Sequence, residues 1–150
     1  MDGAPAGLAG VHVQAPDPNP PAPTSLTADP RFLNPLVLEY MDGRNWKLVH
    51  AFDYCTDVDA LFTVNVPEGF ITDFASIPKI LWNILPPTGA YGKAAVVHDY
   101  LYRTPGLTTR LDADNVFREA MKALGVGAFR RNLMYLAVHL FGERAYKGGL

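Results

Sequence analysis

His98 and Asp99 stand side by side in Ala94-Ala-Val-Val-His-Asp-Tyr-Leu-Tyr102, an ionisable pair inside an otherwise apolar helical stretch. On a helix, His98 and Tyr102 share a face at i and i+4. Asp99 is turned about 100° away. The two adjacent groups therefore serve different atoms, one as a base and the other as a ligand for a cation. Ala94 and Ala95 leave room for a second element to approach. Asp114 lies near the start of the next amphipathic segment. Two helices joined so tightly are expected to run antiparallel, which brings Asp114 beside His98. A carboxylate bonded to one ring nitrogen fixes the tautomer and frees the other as a base. Tyr102 can bond the same carboxylate. The alternative is a buried polar cluster that locks two helices together, with Asp112 competing for the role of Asp114.

Gly69-Phe-Ile-Thr-Asp-Phe-Ala-Ser-Ile-Pro78 is the next element with chemistry to offer. Thr72, Asp73 and Ser76 supply oxygens and Gly69 supplies backbone freedom. Asp73 with Asp99 makes an oxygen-donor set suited to calcium, although EF-hand spacing is absent. The competing reading is a capped turn, with Thr72 or Asp73 bonded to nearby backbone amides. Ser76 lies in no G-x-S-x-G elbow. Cys55 sits between Asp53 and Asp57, where negative charge disfavours a thiolate. His139 and Glu143, at i and i+4, read as a packed or solvated pair, and Arg130-Arg131 as a solvated helix start that could meet an acidic surface.

These residues need a scaffold, and the pattern predicts one of α+β class. Leu36 to Tyr40, the Asp42-Gly43 turn and Trp46 to Phe52 predict a hairpin. Leu61 to Val66 alternates as a strand and stops at Pro67-Glu68-Gly69. Phe70 to Pro78 reads as an ordered loop, and Lys79 to Leu85 as a short helical turn. Three main helices follow: Thr88 to Arg103, Leu111 to Leu124, and Ala128 to about Ala145. In the second, Val116, Phe117, Ala120, Met121 and Leu124 share a face. The expected core is Phe62, Val64, Phe74, Trp82, Val97, Leu101, Phe117, Met121, Leu136 and Leu140.

The chain has 150 residues, 49% apolar and 19% charged, as expected of one globular domain. A boundary falls near residue 30. Residues 1–30 carry no Lys, Arg or aromatic residue, and eight of the thirteen prolines precede position 36. Such a segment buries too little apolar surface to offset its ordering entropy. It reads as a Pro-rich extended arm ahead of a single domain over 31–150. Residues 31–100 hold five basic and eight acidic groups, whereas 101–150 hold eight basic and four acidic. The net charge of -2 gives no reason to expect nucleic acid as a partner. No apolar run approaches the ~20 residues of a transmembrane helix, no signal-peptide pattern follows Met1, and one cysteine cannot build a disulfide framework.

Three blocks together carry a resemblance: Val66-Pro-Glu-Gly-Phe-Ile-Thr-Asp-Phe-Ala-Ser-Ile-Pro78, then Ala94 to Tyr102, then Ala113-Asp-Asn-Val-Phe117. From about Pro35 to Tyr146 the chain resembles the phage and prophage family called domain of unknown function thirteen-fifty-three, which implies a viral or prophage source. More distantly, His98-Asp99-Tyr-Leu-Tyr102 with Asp114 and Phe117 is similar to the H-D-x-x-Y and D-x-x-F helices of the phospholipase A-two class. That resemblance implies His98 as the base, Asp99 as a calcium ligand, Asp114 as the orienting carboxylate and Tyr102 as its support. The Gly-rich calcium loop of that class is absent here, so residues 69–78 would have to replace it. Two expectations follow. One is a calcium-dependent, phospholipase-like hydrolase acting on phospholipid at a host envelope. The other is a tail-associated virion protein whose arm, residues 1–30, docks on a neighbour and whose His/Asp cluster is structural. Either would place the chain in the virion, or in the host cytoplasm before assembly.

Overall fold

A computed structural model describes residues 31–58, 62–74, 91–104 and 106–146. The Pro-rich arm, the helical turn expected at Lys79 to Leu85, and Ser76 and Trp82 lie outside the described residues.

The architecture is α+β, an antiparallel strand region followed by three helices. Strands β1 (Leu38–Asp42) and β2 (Asn45–Leu48) form the expected hairpin, with Tyr40 opposite Trp46. Gly43 takes φ 52°, a conformation that suits glycine at a two-residue turn. The Asn45 side-chain amide donates to Asp42 Oδ1 at 2.8 Å across that turn. The strand expected to run on to Phe52 instead ends at Leu48. The chain bends and re-enters as β3 (Phe52–Thr56), which pairs with β4 (Phe62–Val66) in a second, two-stranded sheet. Phe52, Tyr54 and Thr56 are buried while Asp53 and Cys55 are half-buried, the period of a one-sided strand. Phe32 bridges to Tyr54 on the other edge of β3.

Pro67 to Gly69 turns the chain back. Gly69 N donates to the Leu48 carbonyl and Leu48 N to the Phe70 carbonyl, each at 2.8 Å. Ile71–Thr72, expected as loop, thereby becomes strand β5 on the free edge of β2. Phe74, just beyond, is buried at φ 53°. This left-handed conformation costs a non-glycine residue about 1–2 kcal/mol. Phe74 N donates to Thr72 Oγ1 at 3.3 Å, a local bond that helps to hold the turn.

Helix α1 (Gly92–Arg103) is buried on nearly every side, from Ala94 through Asp99 and again at Leu101 and Tyr102. Such a helix is the core around which other layers pack. Helix α2 (Arg110–Ala123) starts at Thr109, whose Oγ1 accepts from Asp112 N at 3.1 Å. Its buried face holds Val116, Phe117, Ala120 and Met121, as expected, together with Ala113 and Asp114, while Leu124 is only partly buried. Gly125, at φ 73°, follows its end. Helix α3 (Ala128–Phe141) continues into a short 3-10 turn over Gly142–Arg144. Its buried residues are Met134, Ala137 and Val138. Leu136 and Leu140, expected in the core, are exposed, and Phe62 is only partly buried. A helix that is apolar on two faces carries no periodic mark of which face turns inward.

Candidate functional site

The α1–α2 pair assembles the predicted triad. His98 and Tyr102 lie one turn apart on α1, and Asp114 faces them from the second turn of α2. His98 Nε2 is 3.0 Å from Asp114 Oδ1, and the Tyr102 hydroxyl donates to the same oxygen at 2.5 Å. Asp112 does not compete, because it is occupied at the helix cap with Thr109. His98 and Asp114 are fully buried. The His98 ring is held between Tyr102 and Phe117, with centroid distances of 4.0 and 4.7 Å.

Electrostatics assign the protons. Burial alone would push the Asp114 carboxyl up. Hydrogen bonds from His98, Tyr102 and His139 outweigh burial and hold it below its ordinary value. An ionised Asp114 only accepts, so His98 Nε2 carries the hydrogen of that bond. Burial, and then the bond to Asp114, raise the Tyr102 phenol, which stays protonated as a donor. His98 Nδ1 is buried and has no hydrogen-bond partner among the described residues. An orphaned buried nitrogen costs about 1–3 kcal/mol, and such an exception asks for a reason.

A third donor reaches the carboxylate from α3. His139 Nδ1 lies 3.2 Å from Asp114 Oδ2, and Arg110 Nη1 lies 3.9 Å from the same oxygen. Arg110 also donates to the His139 carbonyl at 2.9 Å. Sequence reasoning set His139 aside with Glu143. Its partner lies 25 residues upstream, and no local spacing marks such a contact.

Asp99 and Asp73, the expected cation ligands, also converge, but on a guanidinium. Arg103, in the last turn of α1, bonds Asp73 Oδ1 through Nη2, which lies 3.4 Å from Asp99 Oδ2. Its Nη1 donates to the Ile71 carbonyl at 2.8 Å. Thr72 Oγ1 donates to Asp99 Oδ2 at 2.7 Å while accepting from Phe74 N, so the capped-turn reading holds for Thr72. Burial raises the Asp99 carboxyl, against the pull of Arg103 and Thr72. As a donor set, these oxygens suit calcium. As an arrangement they do not fit it, because Arg103 already occupies the position between the two carboxylates. Among the described residues no group of three or more His, Cys, Asp or Glu side chains could hold a metal.

Comparison with known proteins places the chain in a family. Residues 46–138, which include both helices of the site, match the family described as "Protein of unknown function (DUF1353)". The chain is also 42% identical over 79 residues to "Uncharacterized protein y4jT" of Sinorhizobium fredii (strain NBRC 101917 / NGR234). That match covers 51% of this chain and 23% of the relative, so the chain spans about a quarter of that protein's length. No solved structure matches. With the profile matching well over half of its length, from β2 to α3, the chain belongs to the DUF1353 family.

Proposed function

We propose that this chain is a phage- or prophage-encoded hydrolase of lipid esters, acting on phospholipid at a host envelope, with His98 as its base. One observation carries the reading. Asp114 holds Nε2 of His98, and Nδ1 is buried with no partner among the described residues. The resemblance to the phospholipase A-two class supports it by asking the same roles of the same residue types.

In this reading Nδ1 takes a proton from water while the water oxygen adds to the ester carbonyl. The C–O bond to the alcohol then breaks, and Nδ1 returns the proton to the departing oxygen. Ester and water become acid and alcohol. Asp114 stabilises the imidazolium in between and fixes its tautomer. Tyr102 and His139 keep Asp114 ionised and oriented. Because Nδ1 is buried, water and substrate reach it only when a neighbouring element gives way. The Asp73 and Asp99 carboxylates expected to hold calcium are taken by Arg103, so no step of this reading runs through the metal.

The test is fatty-acid release from mixed phospholipid micelles, with calcium and with chelator, run beside His98→Ala. Release that His98→Ala abolishes is the expected result. Release that survives His98→Ala, or none from any phospholipid, defeats the reading.

A second reading rests on a different observation, the complete burial of His98 and Asp114. Here the cluster fastens α1 to α2, and the chain is a tail-associated virion component whose residues 1–30 dock on a neighbouring protein. Its test is the composition of purified virions, from which the protein must not be missing.

A further inference from the structure

Helix α3 is apolar on both sides. One side packs Met134, Ala137 and Val138 inward. The other presents Phe129, Leu136 and Leu140, which are 80%, 49% and 60% exposed, with Leu133 half-buried among them. Spacings of four, three and four residues put these four side chains on one face. Phe141, the last residue of the helix, is also exposed, at 68%. A contiguous apolar stripe of this kind on a folded surface marks an interaction site.

Charge selects the occupant. Helix α3 contains no Asp or Glu. Exposed arginines bracket the stripe, Arg130 beside Phe129 and Arg144 just past Phe141, with Glu143 the nearby acid. The last fifty residues carry twice as many basic as acidic groups. Pairing of α3 with a second copy would add no carboxylate from the helix itself to meet these arginines. An apolar face flanked by arginines instead matches a layer that is apolar within and anionic at its surface. At 14 residues, α3 is about 21 Å long. Among the described residues no helix is long and apolar enough to cross a membrane. The helix would therefore lie along such a surface.

We propose that the outward face of α3, through Phe129, Leu133, Leu136 and Leu140 with Arg130 and Arg144 at its ends, docks the protein on an anionic phospholipid surface. The choice of phospholipid rests on the lipid-ester reading above; the docking itself needs no turnover.

The experiment is co-sedimentation of the full chain with vesicles of phosphatidylglycerol and phosphatidylcholine, against phosphatidylcholine alone. Wild type and His98→Ala bind the anionic vesicles alike, and added salt weakens both. The Leu136→Asp/Leu140→Asp chain loses about tenfold or more in affinity. Its far-ultraviolet circular dichroism is unchanged, because both positions face solvent. Arg130→Glu weakens binding as well. Three results overturn the proposal: no binding to the anionic vesicles, binding indifferent to the double substitution, or a dimer in light scattering that Leu136→Asp dissolves. Binding without fatty-acid release sinks the esterase reading and leaves the docking face standing.

Discussion

His139 Nδ1 and His98 Nε2 bond opposite oxygens of the Asp114 carboxylate, at 3.2 and 3.0 Å. One buried carboxylate thus receives an imidazole from each of two helices. His98 is fully enclosed, whereas the His139 side chain is 38% exposed. The anion is fastened on one side to the core and on the other to a helix at the surface. His139→Phe is expected to cost about 1 kcal/mol, the net value of one such bond. Urea denaturation checks this, with His139→Gln recovering part of the loss.

Acid should reveal Asp114. Its carboxyl sits below the ordinary value of 3.8 in the folded chain. Its stabilising contribution is therefore complete above that value and is lost as pH falls through the lower folded value. Asp99 has the opposite sign, because its raised carboxyl penalises the fold at neutral pH and relaxes on protonation. Asp114→Asn should lower stability at pH 7 by about 3 kcal/mol, as when one partner of a buried pair is lost. It should also flatten the acid limb. Asp99→Asn should cost less. Melting curves from pH 7 to pH 2 separate the two.

Gly142 and Tyr102 should couple. A Cβ at Gly142 would meet the Tyr102 hydroxyl oxygen at 2.6 Å. Gly142→Ala therefore pushes the hydroxyl off Asp114. Tyr102→Phe removes the same bond while keeping the ring, at about 1–2 kcal/mol. The two substitutions together should cost less than the sum of the singles, since removing the hydroxyl takes away the nearest clash. A double-mutant cycle in urea reads the difference directly, and strict additivity would refute the contact.

Arg103 should decide whether calcium matters. With the guanidinium between Asp73 and Asp99, added calcium should raise the melting temperature little. Arg103→Gln removes the competing cation and leaves both carboxylates in place. It should gain a calcium-dependent rise in melting temperature that chelator reverses. If wild type gains the larger rise, Arg103 yields the two carboxylates to calcium readily.

How much of this could be read from residues alone varies with the range of the contact. His98, Tyr102 and Asp114 were legible because helical spacing sets two of them on one face and a short connection brings the third. Even there, Asp112 competed with Asp114, and the Thr109 cap, which occupies Asp112, settles the choice. Arg103 was invisible as a partner of Asp73, since a long flexible side chain gives no sign of where its head will rest. His139 was invisible because the contact depends on how α3 crosses α2. Strand β3 escaped notice because its first residue, Phe52, reads as the end of the preceding strand, although Asp53 and Cys55 alternate with Phe52, Tyr54 and Thr56. The exposed Leu136 and Leu140 show the same weakness from the other side.

The connection between α1 and α2 has a kinetic consequence. His98 and Asp114 are 16 residues apart, whereas Trp46 and Thr72, paired between β2 and β5, are 26 apart with β3 and β4 between them. Closing the shorter loop is entropically cheaper and requires no sheet to be in place. The two helices can therefore meet before β5 finds its register on β2. Substitutions at Asp114 should slow refolding in stopped-flow experiments, while substitutions on β5 should chiefly speed unfolding. The residues that define the site would then also serve as an early nucleus for the domain.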